Sequence, residues 1–460
     1  MASEHTSNNC GVLVFYFKWL LSQRIFMVMV VMGLLFTTIG AALFVGGGSY
    51  NVDSYPTTYR MIESLSDFNI FFLIIVVFYS GELIWKERDV KVNLIFDALP
   101  YPNYVTIAGK FLAMTFMFAI LLLTLIFLGV AIQAFQGYTD FQLPVYLKSL
   151  FTDTFYFLLL YTFLGFFIHT MVNHKFVGHA VFVMFFISTL VLNEIGLEHN
   201  LFHFASGGLG RFSDMNQFGH YFEPFNWFSL YWFAFAFVLF ALVIFFNVRG
   251  AEANMKTRWR LGKLRLNRSL VTFSSISLLL FVAAGAFIYY NTNVLNEFQN
   301  SDDSTADRAA YEKTLKQYAE EPLLKIVSTY VEIDIFPEER DFNAKGKYTL
   351  KNKTEQPIQK VYVQRNVNED VTDEVSFNVP AKITDAWDDF YFYIYELENP
   401  VLPGDSIEME FTTIYDTKGF KEGGSNTEIL HNGTFFNNTY FPTFGYQGNF
   451  EITSDDDRKD

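Results

Sequence analysis

Residues 111–135 read FLAMTFMFAILLLTLIFLGVAIQAF, twenty-five positions without one Asp, Glu, Lys or Arg. A helix needs about 20 residues to cross the ~30 Å hydrocarbon layer of a bilayer, and only a helix or a closed barrel satisfies its own backbone hydrogen bonds there. Six further stretches have the same character: residues 25–46, 68–85, 151–172, 177–197, 225–248 and 269–291. The chain therefore reads as a polytopic α-helical membrane protein, a six-span bundle plus a seventh span. After the last stretch the composition changes abruptly to an acidic, strand-rich tail.

The basic residues set the expected orientation. With the N-terminus inside, the inner segments hold fourteen Lys and Arg and the outer loops hold only Arg60, Lys148 and Arg211. That asymmetry is a positive-inside signal, and seven spans then place the tail outside the cytoplasm. The net charge of −15 divides unevenly: residues 1–293 carry 17 basic and 15 acidic side chains, residues 294–460 carry 16 and 33. An acidic outer domain argues against nucleic acid and against docking on anionic lipid. The single cysteine, Cys10, precedes the first span, so the tail must fold on a hydrophobic core without disulfides. No cleavable signal is apparent.

Outward from the spans, residues 12–24 (VLVFYFKWLLSQR) are aromatic and apolar, with Lys18 and Arg24 at polar positions. They fit an interfacial helix lying on the inner leaflet, or a simple lengthening of the first span. Between spans two and three, residues 81–100 (GELIWKERDVKVNLIFDALP) place Val90, Leu94 and Ile95 at helical spacing among charges, ending at Pro100. This reads as a short amphipathic helix able to seat in a partner's groove, or as a solvated connection. Residues 198–224, between spans five and six, are rich in aromatics and Gly and could partly re-enter the outer leaflet. Residues 249–268 carry seven Lys and Arg and read as a basic inner linker. The organisation expected is 1–24 N-terminus with interfacial helix, 25–248 six-span domain, 249–268 linker, 269–293 seventh span, 294–323 helical linker and 324–460 β-domain. In the tail, Ser304 is expected to cap a helix carrying Tyr311, Leu315 and Tyr318 on one stripe. Strands are expected near 328–336, 347–350, 360–364, 389–395, 406–415 and 427–440, as an antiparallel β-sandwich.

A search for chemistry returns little. There is no His-Glu-x-x-His, and one cysteine cannot build a thiolate zinc site. His169, His174 and His179 gather around the four-residue link between spans four and five, either as a proton or metal site or as interfacial side chains at helix ends. His199 and His203, beside Glu198, would share a face if that loop were helical. No Gly-x-x-x-x-Gly-Lys-Ser/Thr is present, so the chain does not carry the P-loop signature for ATP. Glu82 and Glu194 lie near span ends rather than at the midplane, which disfavours proton-driven secondary transport. The Asn-x-Ser/Thr matches at Asn352, Asn432 and Asn437 read as incidental.

Several strings together resemble a known family. Residues 80–91 (SGELIWKERDVK), Asp97-Ala-Leu-Pro, Gly109-Lys-Phe, residues 213–220 (SDMNQFGH), Tyr231-Trp and residues 290–297 (YNTNVLNE) resemble ABC-2 type transporter permeases of the bacterial kind fused to an M1-family aminopeptidase. The resemblance implies a permease, an exporter in the cytoplasmic membrane of a bacterium, pairing with a second permease unit and with a separate P-loop ATPase that carries the ATP. The segment after span two would then be the coupling helix, with Glu82, Glu87, Arg88 and Asp97 facing the ATPase. The tail resembles the N-terminal β-domain of M1 peptidases, through residues 330–340 (YVEIDIFPEER), Gly346-Lys-Tyr-Thr-Leu and Phe441-Pro-Thr-Phe. The zinc-binding His-Glu-x-x-His and the substrate-binding Gly-Ala-Met-Glu-Asn are absent, so no catalytic or metal-ligating residue and no cofactor is assigned to this chain; zinc would enter only with a following catalytic domain. The alternative reading is the membrane anchor and substrate-facing β-domain of such a metallopeptidase. A peptide-binding or sensory module is a third.

Overall fold

The helices follow the apolar runs. In the computed structural model, which describes residues 2–46, 55–93, 95, 103–172, 174–210, 212–214, 216–247, 254–264, 266–422, 428–430 and 433–452, the helices are α1 (Ala2–Ser22), α2 (Arg24–Gly46), α3 (Thr58–Leu65), α4 (Asn69–Asp89), α5 (Asn103–Phe135), α6 (Leu143–Ser149), α7 (Phe155–Met171), α8 (Lys175–Glu194), α9 (Phe222–Phe246), α10 (Met255–Leu264), α11 (Arg268–Tyr290) and α12 (Ser301–Leu315). Among the described residues seven runs are long and apolar enough to cross a membrane: Arg24–Ala41, Thr58–Asp89, Tyr104–Phe135, Leu143–Met171, Lys175–Glu194, Phe222–Phe246 and Arg268–Leu295. Two of these join shorter pieces. A 3-10 turn at Ser66–Phe68 links α3 to α4, and a π-turn at Leu150–Thr154 links α6 to α7.

The chain divides into two units. One takes in the chain up to Ile195 with Asn200–Leu209 and Phe225–Phe287; the other takes Gly196–His199, Gly210–Pro224 and the chain from Ile288. In the helical unit the outward faces are apolar. Met184, Leu190 and Ile187 on α8 are 68%, 62% and 52% exposed, and α2 turns Ile25, Val28 and Ile39 outward in the same way. Water would not tolerate that much contiguous apolar surface, whereas lipid does. The helical unit thus has the marks of a multi-pass membrane protein.

The second unit is an antiparallel β-sandwich. Its strands are β1 (Lys325–Phe336), β2 (Asp341–Lys351), β3 (Ile358–Gln364), β4 (Val371–Phe377), β5 (Ala381–Trp387), β6 (Phe392–Val401), β7 (Ser406–Tyr415), β8 (Ile429–Leu430), β9 (Gly433–Thr434) and β10 (Thr443–Phe444). One sheet runs β1-β2-β7-β4 and the other β10-β3-β6-β5. Alternation builds the core. Phe342, Ala344, Tyr348 and Leu350 of β2 and Ile407, Met409, Phe411 and Tyr415 of β7 face Val361 and Val363 of β3 and Tyr395 and Leu397 of β6. The β6–β7 turn needs Gly404, whose φ of +89° suits no side chain.

The tail departs from expectation in several places, and β4, β5 and β10 lie outside the expected strands. Asn300, not Ser304, caps α12, its Oδ1 accepting the Asp303 N–H at 2.7 Å. The 389–395 strand begins later, because a 3-10 turn occupies Asp388–Phe390 and β6 starts at Phe392. The 427–440 strand reduces, among the described residues, to the two-residue β8 and β9 and a 3-10 turn at Asn438–Tyr440. The stripe on α12 is as expected: Tyr311 and Leu315 are buried, with Tyr318 packed beside them. Asn352 is fully buried, its amide donating to Gln356 O and Val401 O at 2.8 Å each, so it braces a turn and is not open to modification.

Candidate functional site

Charged side chains are scarce in the helical unit, and they gather where α4 ends. The helix runs without interruption from Asn69 to Asp89, so Glu82, Glu87 and Arg88 belong to the spanning helix itself rather than to a separate amphipathic one. Two residues further on, Lys91 adopts a positive φ of 57° and the helix is over.

Successive residues of that last turn point to different neighbours. Glu87 Oε2 sits 2.6 Å from Lys110 Nζ of α5, and its Oε1 accepts the Tyr16 hydroxyl of α1 at 2.5 Å. Lys110 is 3% exposed, and that carboxylate balances its charge in a dry site. Lys86 takes another route: its ammonium lies 4.0 Å from the Phe15 ring, 4.3 Å from Trp19 and 5.0 Å from Tyr16, all on α1. This is a cation–π cage, stronger for being dry. On the opposite side Lys175, at the start of α8, bridges Glu82 at 2.6 Å and Asp89 at 2.7 Å. Arg88 and Asp89 are the exposed members of the group; Asp89 is paired with Lys175, and Arg88 lies against the Trp85 ring at 5.1 Å.

A second basic group closes the same end. Arg258 of α10 is buried and donates from Nη2 to Thr170 O and Phe246 O, both at 2.6 Å, and from Nε to Phe246 O at 3.1 Å. Those carbonyls belong to the last turns of α7 and α9, where helix ends carry unsatisfied acceptors and partial negative charge. Burial pushes the Arg258 guanidinium pKa down and the Arg88 charge lowers it further, though it stays cationic. One arginine is therefore hidden in a cap and the other is open.

Of the four residues expected to face a partner, Glu82 and Glu87 are held by neighbours within the chain, Arg88 points outward, and Asp97 lies outside the described residues. Tyr16, Lys110, Lys175 and Arg258 were not singled out from sequence. Lys110 offered a signal: it is the one basic residue within α5, and charge inside a spanning helix implies a partner.

The histidines sort themselves differently. His169 of α7 and His179 of α8 meet, with ring centroids 4.7 Å apart, while His174 lies beside Phe176 instead. The stretch holding His199 and His203 is a run of turns, which removes the helical face they would have shared. His199 is buried, its Nε2 2.9 Å from Thr292 Oγ1 and its Nδ1 3.5 Å from Glu422. Among the described residues no group of three or more His, Cys, Asp or Glu is placed to hold a metal ion.

These features define a multi-pass helical membrane protein that carries a β-sandwich and a knot of ion pairs at one helix end. No family model matches the chain, and no curated protein matches it.

Proposed function

We propose that this chain is the permease subunit of an ABC-type exporter and works with a separate P-loop ATPase. The observation that supports this most is the grip on the end of α4. Through Glu87, Lys110, Tyr16, Lys86 and Lys175, that end is tied to α1, α5 and α8. A load applied at the open Arg88 reaches four helices together, which is what a subunit lacking its own nucleotide loop requires. In this reading the α4 tip is cytoplasmic, in keeping with the Lys and Arg distribution, and the β-sandwich lies outside a bacterial cytoplasmic membrane. Two permease units would pair around the substrate path. Arg88 faces the ATPase, Glu82 and Glu87 are positioning residues, and Asp97 belongs to the segment following the tip.

The test is site-directed cross-linking. Cys10→Ser removes the chain's single thiol, and Val90→Cys, an exposed position two residues beyond Arg88, then carries a benzophenone maleimide. Illumination in native membranes should join the chain to a P-loop ATPase. Intact, labelled protein that yields no ATPase adduct would contradict the assignment.

A further inference from the structure

Strand β1 is the outer strand of its sheet, and among the described residues no strand pairs with the side it turns away from β2. Every residue from Lys325 to Phe336 is exposed except Val331, which is half-buried. Natural edge strands of this length are blunted by a proline, a lysine or a bulge within the strand. Here the one irregularity falls between Ile326 and Ser328, and lysine occurs only at the first position. The run from Ser328 to Asp334 is therefore a regular, unblocked row of backbone donors and acceptors.

The register with β2 fixes the two faces of that run. Thr329, Val331 and Ile333 lie opposite Tyr348, Gly346 and Ala344, all buried, so they belong to the core side. Ser328, Tyr330, Glu332 and Asp334 belong to the solvent side. A two-fold axis through an antiparallel ribbon keeps each side chain on its own face, so one residue must meet its own copy. With Val331 on that axis, Tyr330 meets Glu332 of the second copy and Ser328 meets Asp334 of the second copy. Each carboxylate then faces a hydroxyl donor, twice over by symmetry, while Thr329 and Ile333 pack together on the other face. Within the single chain the Tyr330 hydroxyl already donates to Glu332 Oε1 at 2.7 Å, so the two groups suit each other. Neighbouring registers lose this match. Glu332 on the axis sets two carboxylates together, and Tyr330 on the axis sets Asp334 against Ile326.

We propose that the β1 strands of two copies pair antiparallel about Val331, joining two β-sandwiches through one continuous sheet. An edge contact of this length falls short of the about 1,000 Å² of a stable free interface. Two copies confined to one membrane by their spans meet at a high effective concentration, which compensates. The proposal deepens the permease reading: it rests on the pairing of two units and names the surface they share.

The experiment is cysteine cross-linking of the full chain in native membranes, in a Cys10→Ser background. Val331→Cys should give a disulfide dimer on mild oxidation, because directly opposed residues bring their Cα atoms to about 4.5–5.5 Å. Ser328→Cys, about 20 Å from its own copy in that register, should give none. Adding Tyr330→Glu to Val331→Cys should cut the dimer about fivefold, and adding Tyr330→Lys should not. Lys347 lies opposite Tyr330 within the chain, so an intrachain effect of these charges would run the other way. Dimer formed equally at Ser328 and Val331, or indifferent to charge at Tyr330, overturns the proposal. Differently tagged copies that co-purify without a Val331→Cys disulfide reject this surface alone, and copies that do not co-purify reject the pairing as well. Should the variants misfold, hydrogen exchange of the wild type in liposomes still decides it. Amides of residues 328–334 should exchange more slowly at high than at low protein-to-lipid ratio, and equal rates refute the contact.

Discussion

The helical unit hides its charges and shows its apolar side chains; the β-sandwich does the opposite. On α8, Met184 is 68% exposed while Lys110 on α5 is 3% exposed; in the sandwich, Phe342 is fully buried and the Lys347–Glu408 pair lies open. The same forces operate in both. What differs is the solvent, because lipid gives no reward for burying a leucine and a heavy penalty for exposing a charge. The polar contacts of the helical unit are therefore few, dry and decisive, whereas those of the sandwich are numerous and individually weak.

The comparison can be broken or sharpened by mutation. The largest effect should come from the sandwich core: Phe342→Ala removes a ring stacked on Phe436 at 4.8 Å and should cost about 3–5 kcal/mol. Denaturant-dependent proteolysis of the β-unit in the full chain measures it. Glu87→Ala comes next, since it removes the carboxylate 2.6 Å from the buried Lys110 ammonium and the acceptor of the Tyr16 hydroxyl, at a cost of about 3 kcal/mol in detergent thermal unfolding. Glu87→Leu with Lys110→Met should recover most of that loss, which a merely bulky replacement effect would not allow.

Acid should act on the second unit through His199. Burial pushes its pKa from about 6.5 to about 4, so the folded state favours the neutral ring. Its contribution is complete above about 6.5 and is lost as pH falls towards 4. His199→Gln should flatten that part of the pH–stability curve of the β-unit; an unchanged slope would show that another group carries it. The smallest effect is expected from Asp89→Ala, at most about 1 kcal/mol, because that carboxylate is 42% exposed and Lys175 keeps Glu82. Glu87 and Asp89 are two positions apart, so their contrast measures burial directly.

Much of this architecture was legible in the sequence. The seven spans were readable because an apolar run of that length has no other stable home, and β7 was readable because its alternation runs unbroken from Ser406 to Tyr415. Strands β4 and β5 were missed: β5 (AKITDAW) is exposed along nearly its whole length, so it has no buried face to leave an alternating pattern. The site was half legible. The string WKERD announced charge at a span end, but which residue turns outward depends on helical phase against α1, α5 and α8, and one chain's composition does not contain that. Glu87 and Arg88 look equivalent in sequence, yet one is locked to Lys110 and the other is open.

The central claim is that Arg88 marks the docking point for a separate ATPase. The most direct measurement is a mild-detergent pull-down of the tagged chain from native membranes, run in parallel on Arg88→Glu, with mass spectrometry of what co-purifies. The account predicts a P-loop ATPase in near-stoichiometric amount with the wild type and its loss from the variant, both proteins remaining folded and inserted. Intact wild-type protein that brings down no ATPase would contradict it.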